Sequence, residues 1–192
     1  MIKKILIHLK IIILSFFFTN IAFANLQENI IKKFILTKTL SFNFKQKIEN
    51  KEEVGNCFIK YPLLMKCNYQ NLKKETFISN GKTIAIVKKK YKKIYYYPIK
   101  STPLFTILNK KKVLNILKNN KPVQISSDLI EFELIDKKLN KLKIFFDKKT
   151  YNIRGWETKD GYSNEVIFEI KDLKINNQII DDFFNIPKEE DL

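Results

Sequence analysis

Two cysteines are the residues of this chain with the most specific chemistry. Cys57 and Cys67 flank Pro62 within the stretch GNCFIKYPLLMKCNY. A cysteine pair can help to bind zinc, exchange electrons as a redox couple or form a structural disulfide. Zinc would need further ligands, and His8 is the only histidine of the chain. The choice among the three depends on the compartment and on the strands that carry the pair.

The amino terminus has the pattern of a cleaved secretory signal. Two lysines precede an apolar run, and Ala22-Phe23-Ala24 ends it with small residues at the positions that signal peptidase recognises. We therefore predict that residues 1–24 are removed and that residues 25–192 form the mature chain. An uncleaved membrane anchor is the alternative, but Lys10 and Asn20 interrupt the run, which is short for a bilayer span.

Signal cleavage would exclude several kinds of site. It removes His8, so the mature chain has no imidazole for a Ser-His-Asp triad or for zinc. We expect no metal site and no cofactor. The first cysteine after the signal is Cys57, far from the cleavage site, so we expect export without a lipid anchor. An enzyme that uses only carboxylates stays possible, because the chain has 20 acidic residues.

The charge of the chain is strongly basic, with 36 basic residues, 20 acidic residues and a net charge of +16. Removal of Lys3, Lys4 and Lys10 lowers that charge by three, to +13. Arg154 is the only arginine, and arginine is the residue that binds guanine and phosphate through two hydrogen bonds. The composition therefore predicts no nucleic-acid partner. It indicates a solvated lysine surface, with attraction to anionic membranes or partners as the second interpretation.

The apolar pattern predicts one domain over residues 25–192. Apolar residues recur at helical spacing over 26–35, and from Leu40 they alternate as in a strand. Short strands with a hairpin at Asn80-Gly81 continue to about residue 100, a helical stretch follows, and strands return over 124–175. We predict a mostly β, α+β fold: one large curled antiparallel sheet with helices on one side, over an apolar pocket.

Five segments, in order along the chain, match the motifs of one known family. They resemble the family's F-x-Q-K motif, its G-x-x-x-x-K-R-P-x-x-x-R-F-x-Y segment, its V-S-D-G-K-T hairpin, its N-T-P-L helix start and its closing F-x-F-x-P. The segments are Phe44 to Lys47, Gly55 to Tyr69, Ile78 to Thr83, Ser101 to Leu104 and Phe183 to Pro187. With a signal peptide before them, they are similar to the periplasmic outer-membrane lipoprotein carriers of the LolA type.

The resemblance implies a fold and a function. The fold would be an incomplete, strongly curled antiparallel β-barrel with helices that form a lid over an apolar cavity. The function would be that of a periplasmic chaperone without catalytic activity. It would shield the acyl chains of lipoproteins released by an inner-membrane ABC complex and pass them to an outer-membrane receptor. We expect such a carrier to be a monomer.

Bulky, flexible apolar side chains on the first strands, the hairpin and the lid are the candidates to line the cavity. Each could also be an ordinary core residue, so the hypothesis concerns the set. The candidates are Phe42, Phe44, Ile59, Met65, Ile84, Ile86, Leu104, Phe105 and Leu108.

One departure from the family pattern affects the predicted lid. The family usually has arginine before the proline of the second segment, where it helps to latch the lid over the sheet, and this chain has Tyr61. A phenol donates one hydrogen bond and a guanidinium several. Tyr61 would therefore form a weaker latch or only pack.

The cysteines belong to the same segment. In an oxidising compartment a disulfide can persist, and a three-residue turn around Pro62 would place Cys57 opposite Cys67. A four-residue turn would separate them. Two buried free thiols are the alternative.

Two other functions stay open at the level of sequence. The same fold could belong to a periplasmic regulator that senses lipid or lipoprotein. An exported, carboxylate-dependent hydrolase is the other alternative.

Overall fold

An open antiparallel sheet forms the framework of the protein. The computed structural model describes residues 25–72, 74–135, 141–160 and 162–192, so the predicted signal, residues 1–24, lies outside the described residues. The eleven described strands are β1 Thr39–Ile48, β2 Lys51–Lys60, β3 Leu64–Tyr69, β4 Glu75–Asn80, β5 Thr83–Lys88, β6 Lys93–Pro98, β7 Gln124–Ile125, β8 Leu129–Ile135, β9 Lys141–Asp147, β10 Ile153–Lys159 and β11 Glu165–Ile175. Helix α1 covers residues 25–36, α2 covers Leu104–Leu108 and α3 covers Lys110–Asn119.

The strand order joins two meanders through the first and last strands. It runs β6-β5-β4-β3-β2-β1-β11-β10-β9-β8-β7, and every neighbouring pair is antiparallel. β6 and β7 stay at the two edges, so the sheet does not close. The predicted fold class, an incomplete antiparallel barrel with helices, is confirmed.

Strand β1 shows why the sheet has two distinct faces. Leu40, Phe42 and Phe44 are buried on one side, whereas Asn43 and Lys45 lie on the other. Successive side chains of a strand point to opposite faces, so alternation along the sequence gives one apolar face. We call this helix-covered face the inner face and the opposite one the outer face.

The three helices pack their apolar sides on the inner face. The buried residues that they contribute to the main core are Ile30, Phe34, Ile107, Leu108, Val113, Ile116 and Leu117. Asn109 separates α2 from α3, and its side-chain oxygen accepts a hydrogen bond from the Lys112 backbone N–H at 3.2 Å, as an N-cap does. The pattern over 104–117 therefore forms two helices. None of the described helices has the length and apolar character needed to cross a bilayer.

The carboxyl-terminal segment after β11 covers part of the outer face, which the apolar pattern did not predict. The Phe183 ring packs edge-on against Phe58, with ring centroids 5.0 Å apart. Ile186 and Leu192 then pack on a second, smaller apolar cluster. That cluster consists of Ile78, Ala85, Val87 and Ile94.

Candidate functional site

The nine residues predicted to line a cavity all lie on the inner face or on the helix that covers it. Six are buried in the main core: Phe42, Phe44, Ile59, Met65, Ile84 and Leu108. Leu104 and Phe105 are partly buried against the same core. Ile86 is partly exposed and is paired with Phe77 near the edge of the sheet. Side chains of the sheet and of the helices thus form one apolar layer, and in this structure the helices are closed over it.

The helix cover ends toward strands β5 and β6. One row of inner-face side chains crosses the sheet in register from β2 to β6. The row is Cys57, Cys67, Phe77, Ile86 and Tyr95. Exposure rises from 0% at Cys57 to 47% at Tyr95. A second row of inner-face side chains runs beside the first and ends at Tyr97, which is 45% exposed. We call Ile86, Tyr95 and Tyr97 the inner rim, where the apolar layer reaches solvent.

Stacked aromatic rings fill the inner face around β1 and β11. Phe168 stacks on Trp156 with ring centroids 4.3 Å apart and on Phe44 at 4.7 Å. Tyr69 packs edge-on against Phe44 at 4.9 Å. The sequence-based set contained only Phe44 of these four. Apolar alternation within the last strands could have indicated Trp156 and Phe168. The family motifs lie mostly in the first half of the chain and do not include these two residues.

Polar contacts tie the helices to one another. The Lys110 Nζ donates to the backbone oxygens of Ile35 and Thr37, both at 2.6 Å. The Gln27 amide donates to the backbone oxygen of Leu117 at 2.5 Å. Burial lowers the pKa of the Lys110 ammonium, with the positive charge of Lys38 as a smaller cause. These contacts tie α1 to both ends of α3, and nothing in the sequence motifs had indicated them.

A protein-family model matches most of the chain. The model described as outer membrane lipoprotein carrier protein LolA matches residues 36–187. The chain belongs to the LolA family. The resemblance that the five motifs carried is confirmed. A search of curated protein sequences finds no match to the chain.

Solved structures share the LolA-like fold at low sequence identity. An uncharacterized conserved protein from Thermus thermophilus is 10% identical, with a TM-score of 0.51 over 86% of this chain and 94% of that one. MucB is 8% identical, with a TM-score of 0.51 over 88% of this chain and 64% of that one. A LolA superfamily protein from Nitrosomonas europaea is 8% identical, with a TM-score of 0.44 over 85% and 97%. At these identities the first two likenesses support the fold alone.

Tyr61, at the family's usual arginine position, packs on the lid in this structure. Its ring lies edge-on to Phe34 of α1, with centroids 5.4 Å apart. Its hydroxyl is buried without a hydrogen-bond partner among the described residues. The turn contacts the lid through the backbone instead, because the Leu63 N–H donates to the oxygen of Leu108 at 3.0 Å. Burial raises the pKa of the Tyr61 phenol above its ordinary value.

Tyr61→Phe should leave the protein as stable at neutral pH or make it slightly more stable, by up to about 1 kcal/mol, because it removes a buried unpaired hydroxyl. The folded-state pKa of Tyr61 lies above its unfolded value of about 10. The unfolded chain therefore loses the phenol proton first. The free energy of unfolding of the original protein is unaffected below about pH 10 and falls as the pH rises above it. Urea unfolding at pH 7 and at alkaline pH should show a smaller alkaline loss in the variant. Tyr162→Phe, at an exposed tyrosine, is the control and should change neither.

Cys57 and Cys67 lie directly opposite each other on β2 and β3, on the inner face. The turn between these strands is Tyr61, Pro62 and Leu63, the three-residue length that brings the two positions together. The structure joins them in a disulfide. Both side chains are buried under the helices, so the bond ties two inner-face strands within the apolar layer.

The disulfide gives a measurable prediction. Protein purified without reductant should be lighter than reduced protein by two hydrogen masses. Replacing both cysteines by alanine should lower the free energy of unfolding by about 2–3 kcal/mol, since the bond closes a short loop in the unfolded chain. Urea unfolding measures this cost. Identical masses in the two conditions would mean that the thiols are free, and the double variant should then be compared with reduced protein.

Several of the described carboxylates lie in structural contacts. Glu53 and Glu75 both accept from the Asn71 amide, at 3.0 and 3.3 Å, and Glu75 pairs with Lys88 at 3.1 Å. On the outer face, Lys143 lies 3.1 Å from Glu157. These contacts hold a loop and neighbouring strands together. Among the described residues, no group of three His, Cys, Asp or Glu is placed to hold a metal ion.

Proposed function

We propose that the protein is a periplasmic carrier that shields lipoprotein acyl chains and moves them from the inner to the outer membrane. An inner-membrane ABC complex would load it, and an outer-membrane receptor would accept its cargo. The observation that carries the proposal is the apolar layer between sheet and helices, which contains the predicted lining residues and reaches solvent at the inner rim. Membership of the LolA family supports the same function.

The closed apolar layer suits a carrier that must release its cargo. Each buried methylene contributes about 0.8 kcal/mol relative to water, so acyl chains bind strongly to any apolar surface. The relevant competitor is the bilayer, which offers the same contribution. In the closed form, Leu108 and its helical neighbours already occupy the inner face. Acyl chains must displace those contacts, and this cost keeps loading and delivery near balance.

The contacts of the lid favour movement of the helices together. Side-chain hydrogen bonds of Lys110 and Gln27 tie α1 to α3. The β2–β3 turn contacts α2 through a backbone hydrogen bond from the Leu63 N–H to the Leu108 oxygen. The Asn176 amide, directly after β11, donates to the Leu36 oxygen at the end of α1, at 3.0 Å. The rest of the contact between helices and sheet is largely apolar packing. Packing against acyl chains can replace it, so we propose that the helices swing away as a group when cargo enters.

A release assay tests this function. Inner-membrane vesicles that carry a labelled triacylated lipoprotein and the releasing complex are incubated with ATP and purified protein. We expect labelled lipoprotein in the soluble fraction, in a complex with this protein, and transfer to outer-membrane vesicles afterwards. Depletion in cells should make lipoproteins accumulate at the inner membrane.

Other outcomes would favour the periplasmic regulator. Uptake of lipid without release or transfer, together with binding to a membrane-protein partner, would contradict the carrier role and support sensing. MucB, whose fold is similar, has been solved in complex with MucA, so binding to a protein partner is the outcome to compare with lipid transfer.

A further inference from the structure

The edge strand β6 carries an unusual concentration of exposed tyrosines. Tyr95, Tyr96 and Tyr97 follow one another on the strand and are 47%, 55% and 45% exposed. Tyr91, in the turn before it, is 53% exposed. Alternation places Tyr95 and Tyr97 on the inner face and Tyr96 on the outer face. Exposed aromatic rings on both sides of one edge require an explanation beyond core packing.

Lysines outnumber the acidic side chains around these tyrosines. The acidic neighbours are Glu75, Glu189, which accepts from the Ile94 N–H at 2.9 Å, and Asp191, which lines the same outer-face cavity as Lys89. Lys89, Lys90 and Lys92 lie in the turn between β5 and β6, and Lys88 and Lys93 lie at the adjoining strand ends. Lys88 pairs with Glu75 at 3.1 Å, and Lys93 lies 3.9 Å from Glu189. The ion pairs of the described residues include no acidic partner for the other three. The patch formed by Lys89, Lys90, Lys92 and the four tyrosines, which we call the β6 patch, therefore carries a local positive charge.

This combination matches the surface of an anionic bilayer. Tyrosine is favoured at the boundary between headgroups and acyl chains, where its ring is buried and its hydroxyl stays hydrated. Lysines close to anionic headgroups gain electrostatic attraction over a Debye length. The inner rim shares Tyr95 and Tyr97 with the patch, so a bilayer that contacts the patch would also meet the end of the apolar layer.

We propose that the β6 patch docks the protein on anionic lipid bilayers. Docking places the inner rim against the membrane, with Lys89, Lys90 and Lys92 on phosphate headgroups and the tyrosine rings at the level of the glycerol groups. The proposal goes beyond cargo carriage, because it concerns lipid surfaces that hold no lipoprotein. A second protein strand added to the free edge of β6 is the competing occupant.

Vesicle sedimentation tests the proposal. Protein is produced from the full-length chain, purified as the cell processes it, and mixed with vesicles of phosphatidylcholine alone or with one-third phosphatidylglycerol. We expect binding to the anionic vesicles only, weakened by salt. The triple substitution of Lys89, Lys90 and Lys92 by glutamate should weaken binding at least tenfold, because it reverses the charge next to the headgroups. Tyr95→Ser with Tyr97→Ser should weaken it by a smaller factor that salt does not change.

A matched control separates the patch from overall charge. Lys33, Lys149 and Lys174 are exposed and distant in the chain from β6, and their substitution by glutamate changes the net charge equally. We expect less than a threefold loss for that triple variant. Equal losses in the two triple variants would overturn the proposal in favour of general charge attraction. So would absence of vesicle binding together with self-association in sedimentation velocity, which would assign the edge to a second copy.

The vesicle-binding assay and the cargo-uptake assay test the two proposals independently. The vesicles contain no lipoprotein, and uptake of a soluble lipopeptide needs no vesicle. A protein that takes up lipopeptide but ignores anionic vesicles would retain the proposed function and lose the docking surface.

Discussion

Gly55→Ala is expected to cost about 3 kcal/mol or more of folding stability. Gly55 lies on β2 between β1 and β3, opposite Phe44 and Tyr69. A Cβ atom here would overlap the backbone oxygen of Asn68 and lie 2.7 Å from the Phe44 ring. The oxygen belongs to the β2–β3 ladder, so relief would require the strands to separate beside the aromatic stack.

Gly81→Ala provides the matched comparison. Gly81 has a φ of +94° in the β4–β5 turn, and a Cβ there would meet only the Leu64 side chain, at 3.8 Å. Its replacement costs backbone strain of about 1–2 kcal/mol without a clash. Urea unfolding followed by circular dichroism measures both variants on residues 25–192. Equal urea midpoints would show that β2 can move and that the close approach at Gly55 is unimportant.

Ile86→Asp is expected to weaken lipopeptide binding about a hundredfold, or about 2.7 kcal/mol, with the protein still folded. Ile86 belongs to the inner rim and is partly exposed, so the folded protein can hydrate a carboxylate there. An acyl chain that enters past β5 would strip that water, and an ionised carboxylate in apolar surroundings is strongly unfavourable. Displacement of a fluorescent lipopeptide measures the change in affinity.

Val54→Asp is the control for that substitution. Val54 is 48% exposed, lies on the outer face of β2 opposite Lys45, and receives the same change in charge. We expect its affinity within twofold of the original protein. If the Ile86 variant binds as well as the Val54 variant, acyl chains do not enter past the inner rim.

Local patterns predicted most of the framework because the residues involved act on their neighbours. Leu40, Phe42 and Phe44 alternate on one strand, and alternation alone decides which face they take. Asn80 accepts from the backbone N–H groups of Lys82 and Thr83, which are only two and three residues away. A short segment is therefore enough to predict the β4–β5 hairpin. The turn around Pro62 similarly fixed the register that pairs the cysteines.

Such local patterns could not predict the contacts between segments that are distant in the chain. Lys110 reaches the end of α1 across 75 residues of chain, and a lysine with that role has the same local sequence as a solvated one. Ile186 and Leu192 cover the outer face of β4 to β6 although the residues around them are charged. Register shifts within β1 between Ser41 and Asn43 likewise depend on pairing with β11.

The positions of the predicted lining residues in the fold followed from the sequence, and their role in binding acyl chains stays a prediction. The bulky apolar side chains chosen on the first strands, the hairpin and the lid do pack in one layer on the inner face, from Phe42 to Leu108. The family resemblance left two alternatives for Tyr61, a weaker latch or packing alone, and in the structure its ring packs on Phe34 with no hydrogen-bond partner for the hydroxyl among the described residues. The departure from the family pattern arises from one substitution, and only the three-dimensional surroundings of the phenol show what replaces the guanidinium.

The central claim is that the inner face receives acyl chains, and one titration tests it most directly. Residues 25–192 are titrated with a fluorescent fatty acid, and an unlabelled triacylated lipopeptide is then added as competitor. We predict saturable uptake in a fixed ratio to protein, full displacement by the lipopeptide, and loss of uptake in Ile86→Asp but not in Val54→Asp. Absence of displaceable uptake by the folded protein would contradict the account.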